Sequence, residues 1–242
     1  MFLNSCAVLE QRLLPQQCVL CTALAPANLV CEACLAHLPW LSGQRCPQCA
    51  LPTAGSDICG TCLSDPPRFD RVSAAFAYAW PLAPLIHHYK YAGNLALATL
   101  LAQALCARLS DRADIIVPMP LSAQRLRSRG FNQALELARV ASRLTGVPLA
   151  ASACRRVRDC APQASLPWRE RAPNIRGAFV CDADLTGRSV AVVDDVMTTG
   201  ATLNELARNL RQAGAVEVYG WMVARTLKPQ DSGNLHVRNR SV

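Results

Sequence analysis

Between Val72 and Trp80 the side chains alternate in the two-residue rhythm of a strand, with Phe76, Tyr78 and Trp80 on a common side. Beyond it the period changes. Pro84–Tyr91 and Leu95–Leu109 carry apolar positions three and four apart, and Leu97, Leu100, Leu101, Ala104 and Leu105 fall on one helical face. Asp114–Pro118 reads as a short buried strand, and Arg129–Leu144 as a helix with Ala134, Leu137, Ala138, Ala141 and Leu144 in register. Within Gly187–Asp195 the run Val-Ala-Val-Val has no polar alternation, as expected of a strand covered on both faces. A helix over Ala201–Ala213, with Leu203, Leu206, Ala207 and Leu210 inward, and a strand over Val216–Arg225 complete the series. Strands alternating with helices predict an α/β domain, a parallel sheet flanked by helices.

The two ends break this pattern. From residue 228 the chain is polar, holds Pro and Gly and has no apolar period, so residues 228–242 are expected to be a disordered tail. Asp65-Pro66-Pro67 is a natural linker. The expected organisation is a small module over residues 15–66 and an α/β domain over 70–227. With 51% apolar residues the chain can build a core, yet no run of eighteen apolar residues occurs, so no membrane insertion is expected. The start, MFLNSCAVLEQRLLP, lacks the basic and apolar stretches of a signal peptide, and a cytoplasmic protein is expected.

Cysteine usage sharpens the picture of the first module. Eight of the thirteen cysteines form the pairs Cys18/Cys21, Cys31/Cys34, Cys46/Cys49 and Cys59/Cys62. Two intervening residues let one knuckle aim both thiolates at one ion, and two knuckles complete a tetrahedral site. In a reducing compartment these pairs are metal ligands rather than disulfides. Nine residues separate Cys21 from Cys31 and nine separate Cys49 from Cys59, which suggests two successive zinc ribbons. An interleaved cross-brace uses the same ligands, and spacing alone does not choose between them. Eight thiolates for two ions leave no open position, so both zincs are expected to be structural. A short helix over Glu32–Leu38, ended by Pro39, is expected between the ribbons.

The net charge of +8 rests on arginine, because Lys90 and Lys228 are the only lysines. Between Ser122 and Arg176 eleven arginines face Glu136, Asp159 and Glu170. A preference for arginine codons yields the same bias, but such a stretch attracts polyanions, whether pyrophosphate or a nucleic-acid backbone.

The sharpest chemical signal begins where the apolar run ends. Asp194-Asp195 is followed by Val196-Met197-Thr198-Thr199-Gly200-Ala201-Thr202 and then a helix. A loop opening into a helix N-terminus at the carboxyl end of a parallel strand presents free N–H groups and the positive end of the helix dipole. The threonine hydroxyls add donors, and Gly200 lets the backbone close around a tetrahedral anion. The carboxylates repel phosphate but suit the vicinal hydroxyls of a ribose. A sugar phosphate fits this pattern.

The stretch Ala191–Leu203 resembles the 5-phosphoribosyl-1-pyrophosphate (PRPP) motif of type I phosphoribosyltransferases. The resemblance implies that fold. It places Asp194 and Asp195, the candidate catalytic pair, on the ribose hydroxyls, and Thr198–Thr202 on the 5′-phosphate, with Mg²⁺ accompanying PRPP. Pro118-Met119-Pro120, the segment Arg125-x-Arg127-x-Arg129-Gly130-Phe131-Asn132-Gln133, the group His87, Lys90, Tyr91 and Gly93, and the zinc ribbons together resemble the ComF/GntX family from Cys18 to Arg225. That likeness implies a pyrophosphate loop over Pro118–Gly130, with Arg125, Arg127 and Arg129 as candidates, and Lys90 at the site. A further basic stretch, Arg155, Arg156 and Arg158 through Gln163, then Arg171, Asn174, Arg176 and Gly177, is similar to the family's covering loop, with Cys160 where threonine is common.

Three functions follow from the resemblance: transfer of phosphoribose to an unidentified acceptor, PRPP sensing without chemistry, and single-stranded DNA binding among DNA-uptake proteins in natural transformation. An acceptor-reading hood is not identifiable, and the zinc module is the candidate for that place. With 5% aromatic residues, the sequence offers little base-stacking surface.

Overall fold

The computed structural model describes residues 17–25, 29–55, 57–158 and 175–227. The expected tail, most of the covering loop with Cys160, Arg171 and Asn174, and the start of the chain lie outside the described residues.

In chain order the elements are α1 (Glu32–Ala36), α2 (Gly60–Ser64), β1 (Arg71–Ala77), α3 (Leu82–Tyr91), α4 (Ala96–Cys106), β2 (Ile115–Pro118), α5 (Ala123–Arg129) and α6 (Gln133–Thr145). They continue with β3 (Cys154–Arg156), β4 (Phe179–Cys181), β5 (Ser189–Met197), α7 (Ala201–Gln212) and β6 (Glu217–Arg225). The main sheet has the order β1-β6-β5-β2 and every pairing in it is parallel. This is the α/β class expected from the alternating apolar periods.

β5 sits inside the sheet, and its alternation feeds two cores. Ala191 and Val193 join Phe76, Leu85, Leu101, Leu137 and Trp221 beneath α3, α4 and α6. Val190 and Val192 join Leu203, Leu206, Leu210 and Val218 beneath α7. Each such leucine, fully buried, contributes about 1.5–3 kcal/mol of apolar transfer free energy.

The zinc-ribbon segment takes part in both cores. Cys18, Ala25, Val30 and Leu38 pack into the first, whereas Cys46, Cys49, Ala50, Leu51 and Cys62 pack into the second. Between the ribbons the chain runs antiparallel along β1: Leu41 N donates to Ala75 O at 2.9 Å and Ala77 N to Pro39 O at 2.8 Å. Trp40 stacks on Phe76 with ring centroids 4.3 Å apart. The ribbons therefore grip the free edge of β1 from both faces, and Asp65-Pro66-Pro67 joins two packed bodies. Unpaired edge groups that would otherwise meet water or another chain are satisfied here.

Several boundaries differ from the periodicity reading. The helix expected over Arg129–Leu144 is α6 and starts at Gln133, because Gly130 ends the preceding α5 in the left-handed region (φ 78) and Asn132 caps α6, accepting from Ala134 N at 3.0 Å. The basic segment Arg125–Arg129, expected in a loop, is consequently helical, with Ser122 as its cap. β5 runs past Asp195 to Met197, so both aspartates are strand residues. The β3–β4 ribbon has no counterpart in the apolar pattern because its three-residue strands are too short for a visible period.

Phe76 is 0% exposed and touches both the sheet core and the first ribbon. Phe76→Ala is expected to cost about 3–5 kcal/mol, read as a lower denaturant midpoint. One shared transition is expected for ribbon and sheet, because their cores are continuous.

Candidate functional site

Helix α6, which follows β2, covers the first face of the sheet, and α7, which follows β5, covers the second. The chain thus leaves adjacent strands β2 and β5 in opposite directions and opens a crevice beyond their carboxyl ends. A cavity of about 440 Å³ lies there. Asp194, Asp195, Val196, Met197, Thr198, Gly200 and Thr202 line it, together with Lys90, Arg125 and Arg129. Thr199, Ala201 and Arg127 do not line it: the Thr199 hydroxyl instead accepts from Ala201 N at 3.1 Å and shapes the turn. Tyr78, Gln133 and Arg156 also line the cavity; the sequence marked Gln133 in the family-like segment, Arg156 in the basic stretch and Tyr78 only as a strand residue.

Alternation along β5 sends the two aspartates to different sides. Asp195 is 3% exposed and meets Lys90 of α3, with Nζ 3.0 Å from Oδ1. Burial works against the Lys90 charge, but the Asp195 carboxylate, reinforced by Asp194, outweighs it and holds the ammonium above its ordinary pKa. The second oxygen of Asp195, Oδ2, is buried without a protein partner, as is Gln133 Oε1 on the same cavity wall. Asp194 Oδ1 accepts from Asp195 N at 2.8 Å. Burial, then the adjacent Asp195 charge, pushes the Asp194 carboxyl up to about 7.

The wall also carries cations. Arg125 is held below its ordinary pKa by burial and then by Arg156 and Arg129, so three guanidinium groups share one region. Arg129 lies 5.0 Å from the Tyr91 ring centroid and donates to its hydroxyl at 3.2 Å. The loop Thr198–Thr202 contributes Thr198, Gly200 and Thr202 to the wall. Gly200 caps α7 at φ 85, and an added Cβ there meets Met197 Cε at 2.7 Å and the Phe69 ring at 3.6 Å. Glycine is needed for both the dihedral angle and the space.

Arg225 is the functional residue that the sequence pattern does not mark. Its guanidinium, 1% exposed, donates to Cys49 O at 2.8 Å, Met197 O at 3.1 Å and Thr226 O at 3.0 Å, and also to Thr198 O. A single arginine closing a strand carries no local signal of this role.

The cysteine knuckles pair in sequence order. Cys18, Cys21, Cys31 and Cys34 bring their sulfurs within 4.8 Å of one another, and so do Cys46, Cys49, Cys59 and Cys62. A tetrahedral zinc with Zn–S near 2.3 Å requires sulfurs roughly 3.8 Å apart. Cys21–Cys31 and Cys49–Cys59 sulfur separations of 3.7 and 3.6 Å match that geometry. Two successive four-thiolate clusters replace the interleaved alternative.

Comparison with known proteins agrees with the cysteine module. Residues 9–63 match the family model of the double zinc ribbon domain. The DNA utilization protein YhgH of Escherichia coli K12 is 39% identical over 191 residues, covering 75% of this chain and 84% of that protein. Competence protein F of Haemophilus influenzae is 34% identical over 178 residues, covering 69% and 78%. Among solved structures, a purine phosphoribosyltransferase from Pyrococcus horikoshii is 17% identical, with TM-score 0.29, covering 57% of this chain and 88% of that one.

Elemental analysis of the purified protein is expected to find about two zinc ions per chain, because each cluster supplies a complete tetrahedral set. A value near one contradicts the two-cluster geometry.

Proposed function

The chain belongs to the ComF/GntX family, with YhgH and competence protein F among its relatives, and from that premise we propose that it binds PRPP with Mg²⁺ in the service of DNA uptake and utilisation. The observation that carries this reading is the polarity of one cavity. Two carboxylates, a glycine-containing loop that opens a helix, and the guanidinium groups of Arg125, Arg129 and Arg156 line the same cavity. PRPP has the matching chemistry: a monophosphate, a ribose diol and a pyrophosphate.

In this reading the backbone of Thr198–Thr202 holds the 5′-phosphate at the α7 N-terminus. Asp194 and Asp195 accept hydrogen bonds from the ribose hydroxyls, and Arg125, Arg129 and Lys90 compensate the pyrophosphate charge. Buried oxygens without partners, above all Asp195 Oδ2, fit a hard cation. Asp194 and Asp195 would hold Mg²⁺ largely through water and the substrate's own oxygens, and the ion, when bound, neutralises charge on the pyrophosphate. If transfer occurs, the C1–O bond breaks, pyrophosphate departs with the electron pair, and a nitrogen nucleophile supplies the new bond. In this reading the chain's contribution is position and electrostatics.

A specific observation favours single-stranded DNA as a second ligand of the same region. Tyr78 and Tyr91 line the cavity with Arg125, Arg129 and Arg156, and Trp80, two residues after Tyr78, is 77% exposed. Aromatic faces interleaved with guanidinium groups suit stacked bases and their phosphates. The aromatic residues are few, but the fold gathers them. We further propose that the protein acts in the cytoplasm, that residues 15–66 brace the domain over 70–227, and that no membrane segment is involved; among the described residues no helix is long and apolar enough to cross one.

Asp194→Asn with Asp195→Asn is expected to weaken PRPP binding by about 2–4 kcal/mol in calorimetry, the loss of two charge-assisted contacts. Unchanged binding refutes the assignment. Incubation with PRPP, Mg²⁺ and a panel of bases, followed by pyrophosphate release, separates transfer from sensing.

The Asp194 carboxyl titrates near 7 because burial and Asp195 raise it, and the diol needs the charged form. PRPP affinity is therefore expected to rise as pH increases through about 7 and then level off. PRPP's own ionisation affects wild type and Asp194→Asn alike, so the difference between their two pH profiles isolates Asp194. Identical profiles count against its role.

Single-stranded DNA binding is expected to weaken steeply with salt, as neutralised phosphates release counterions, and to be displaced by PRPP. Salt-sensitive binding that PRPP leaves untouched moves the DNA site away from this cavity.

A further inference from the structure

Arg225 is a buried guanidinium that donates to four backbone carbonyls, drawn from three separate parts of the chain. Nε donates to Cys49 O, in the third knuckle, at 2.8 Å. Nη1 reaches Met197 O at 3.1 Å, Thr198 O and Thr226 O, so one nitrogen serves the phosphate loop and the residue after β6. Among the described residues no carboxylate pairs with Arg225. Cys49, whose carbonyl accepts from Arg225 Nε, belongs to the second cluster with Cys46, Cys59 and Cys62. A four-thiolate zinc centre carries net charge −2, so an adjacent guanidinium is electrostatically matched to it.

We infer that Arg225 is a positioning residue that ties the phosphate loop to the second cysteine cluster, so that an intact cluster and a binding-competent loop stabilise each other. Peptide planarity supplies the lever. In a trans peptide the N–H points opposite to the C=O. Holding the Met197 and Thr198 carbonyls on Arg225 turns the N–H groups of Thr198 and Thr199 away from it. Thr198 and Gly200 line the cavity whereas Arg225 does not, so the guanidinium works from behind the loop. Register reinforces the arrangement, because Arg225 lies opposite Met197 on one side and Ala77 on the other. Arginine's planar fork can meet acceptors in several directions at once, and a lysine ammonium of similar reach cannot reproduce that set. The double zinc ribbon thereby acquires a function beyond covering a sheet edge: it sets the geometry of the anion cup. Coupling between two sites is reciprocal, so a ligand in the cup protects the cluster as much as the cluster supports the cup.

This inference rests on the PRPP reading for its ligand but not for its mechanics, and two measurements on the full chain separate them. The first is amide hydrogen exchange without ligand, comparing wild type with Arg225→Lys. Faster exchange is expected in residues 197–203 and 46–51 together, while zinc content stays at the wild-type value. The second is release of zinc to a chelating dye, followed with and without saturating PRPP. At equilibrium with the dye, PRPP is expected to tighten one of the two zinc equivalents in wild type, by a factor within the roughly 5- to 150-fold range of site-to-site coupling, and to lose that effect in Arg225→Lys. If Arg225→Lys does not fold, the dye experiment on wild type still decides the matter. Exchange unchanged in both segments, or zinc release indifferent to bound PRPP, overturns the coupling. Failure of wild type to bind PRPP at all refutes the functional reading instead, and the exchange comparison then decides the role of Arg225 by itself.

Discussion

A carboxylate buried at the end of an interior strand demands a cation, and the Asp195–Lys90 pair at 3.0 Å meets that demand here. Removing one partner from such a buried pair leaves an uncompensated charge, which typically costs 3–5 kcal/mol. α3 must therefore lie where Lys90 can reach across to β5, and its buried face, Leu82, Leu85, Ile86 and Tyr89, secures that placement. Tyr89 extends the chain of constraint by donating to Gln133 O at 2.6 Å, which fixes the first turn of α6. The wall of the cavity is thus assembled around a charge pair that only a packed helix could hold. One carboxylate oxygen is still left over, and that surplus acceptor suits the site to an ion or a hydroxyl.

The same sheet has a vulnerable edge at β1, and the cysteine module covers it. A pair of small four-thiolate ribbons has too little apolar surface to build a core of its own. Packing Val30 and Leu38 on one face and Leu51 and Cys62 on the other gives each ribbon part of the sheet's core. The sheet gains a closed edge in return. Arg225 links the two, since its guanidinium, buried at the end of β6, donates to Cys49 O in the module and to Met197 O where the Thr198–Thr202 loop begins. The cysteine module and the cavity loop are in this sense held by one side chain.

Much of this is legible in the sequence, and the legible parts share a property: they are local. An apolar run, two acidic residues, a Thr-Thr-Gly turn and a helix start describe a strand–loop–helix within thirteen residues, and Ala191–Leu203 adopts it. The knuckles likewise declare their ligands through two-residue spacing. Where local signals conflict, sequence and structure part company. The basic segment Arg125–Arg129 resembles a loop because its short helix has no buried face, and the helical period read from the sequence starts at Arg129 although Gly130 interrupts it.

What the chain could establish alone was chemical inventory: an α/β alternation, eight thiolates in four pairs, and a turn suited to phosphate. Tertiary structure decided the relationships between those parts. It chose successive over interleaved clusters, turned Arg125 and Arg129 toward the cavity but not Arg127, and gathered Tyr78 and Tyr91 at its wall. Above all it gave Arg225 its partners, one of which lies 176 residues away in the sequence. No period or spacing can encode such a contact. It exists because parallel strands bring carboxyl ends together, and because a buried guanidinium must find acceptors wherever the fold has placed them.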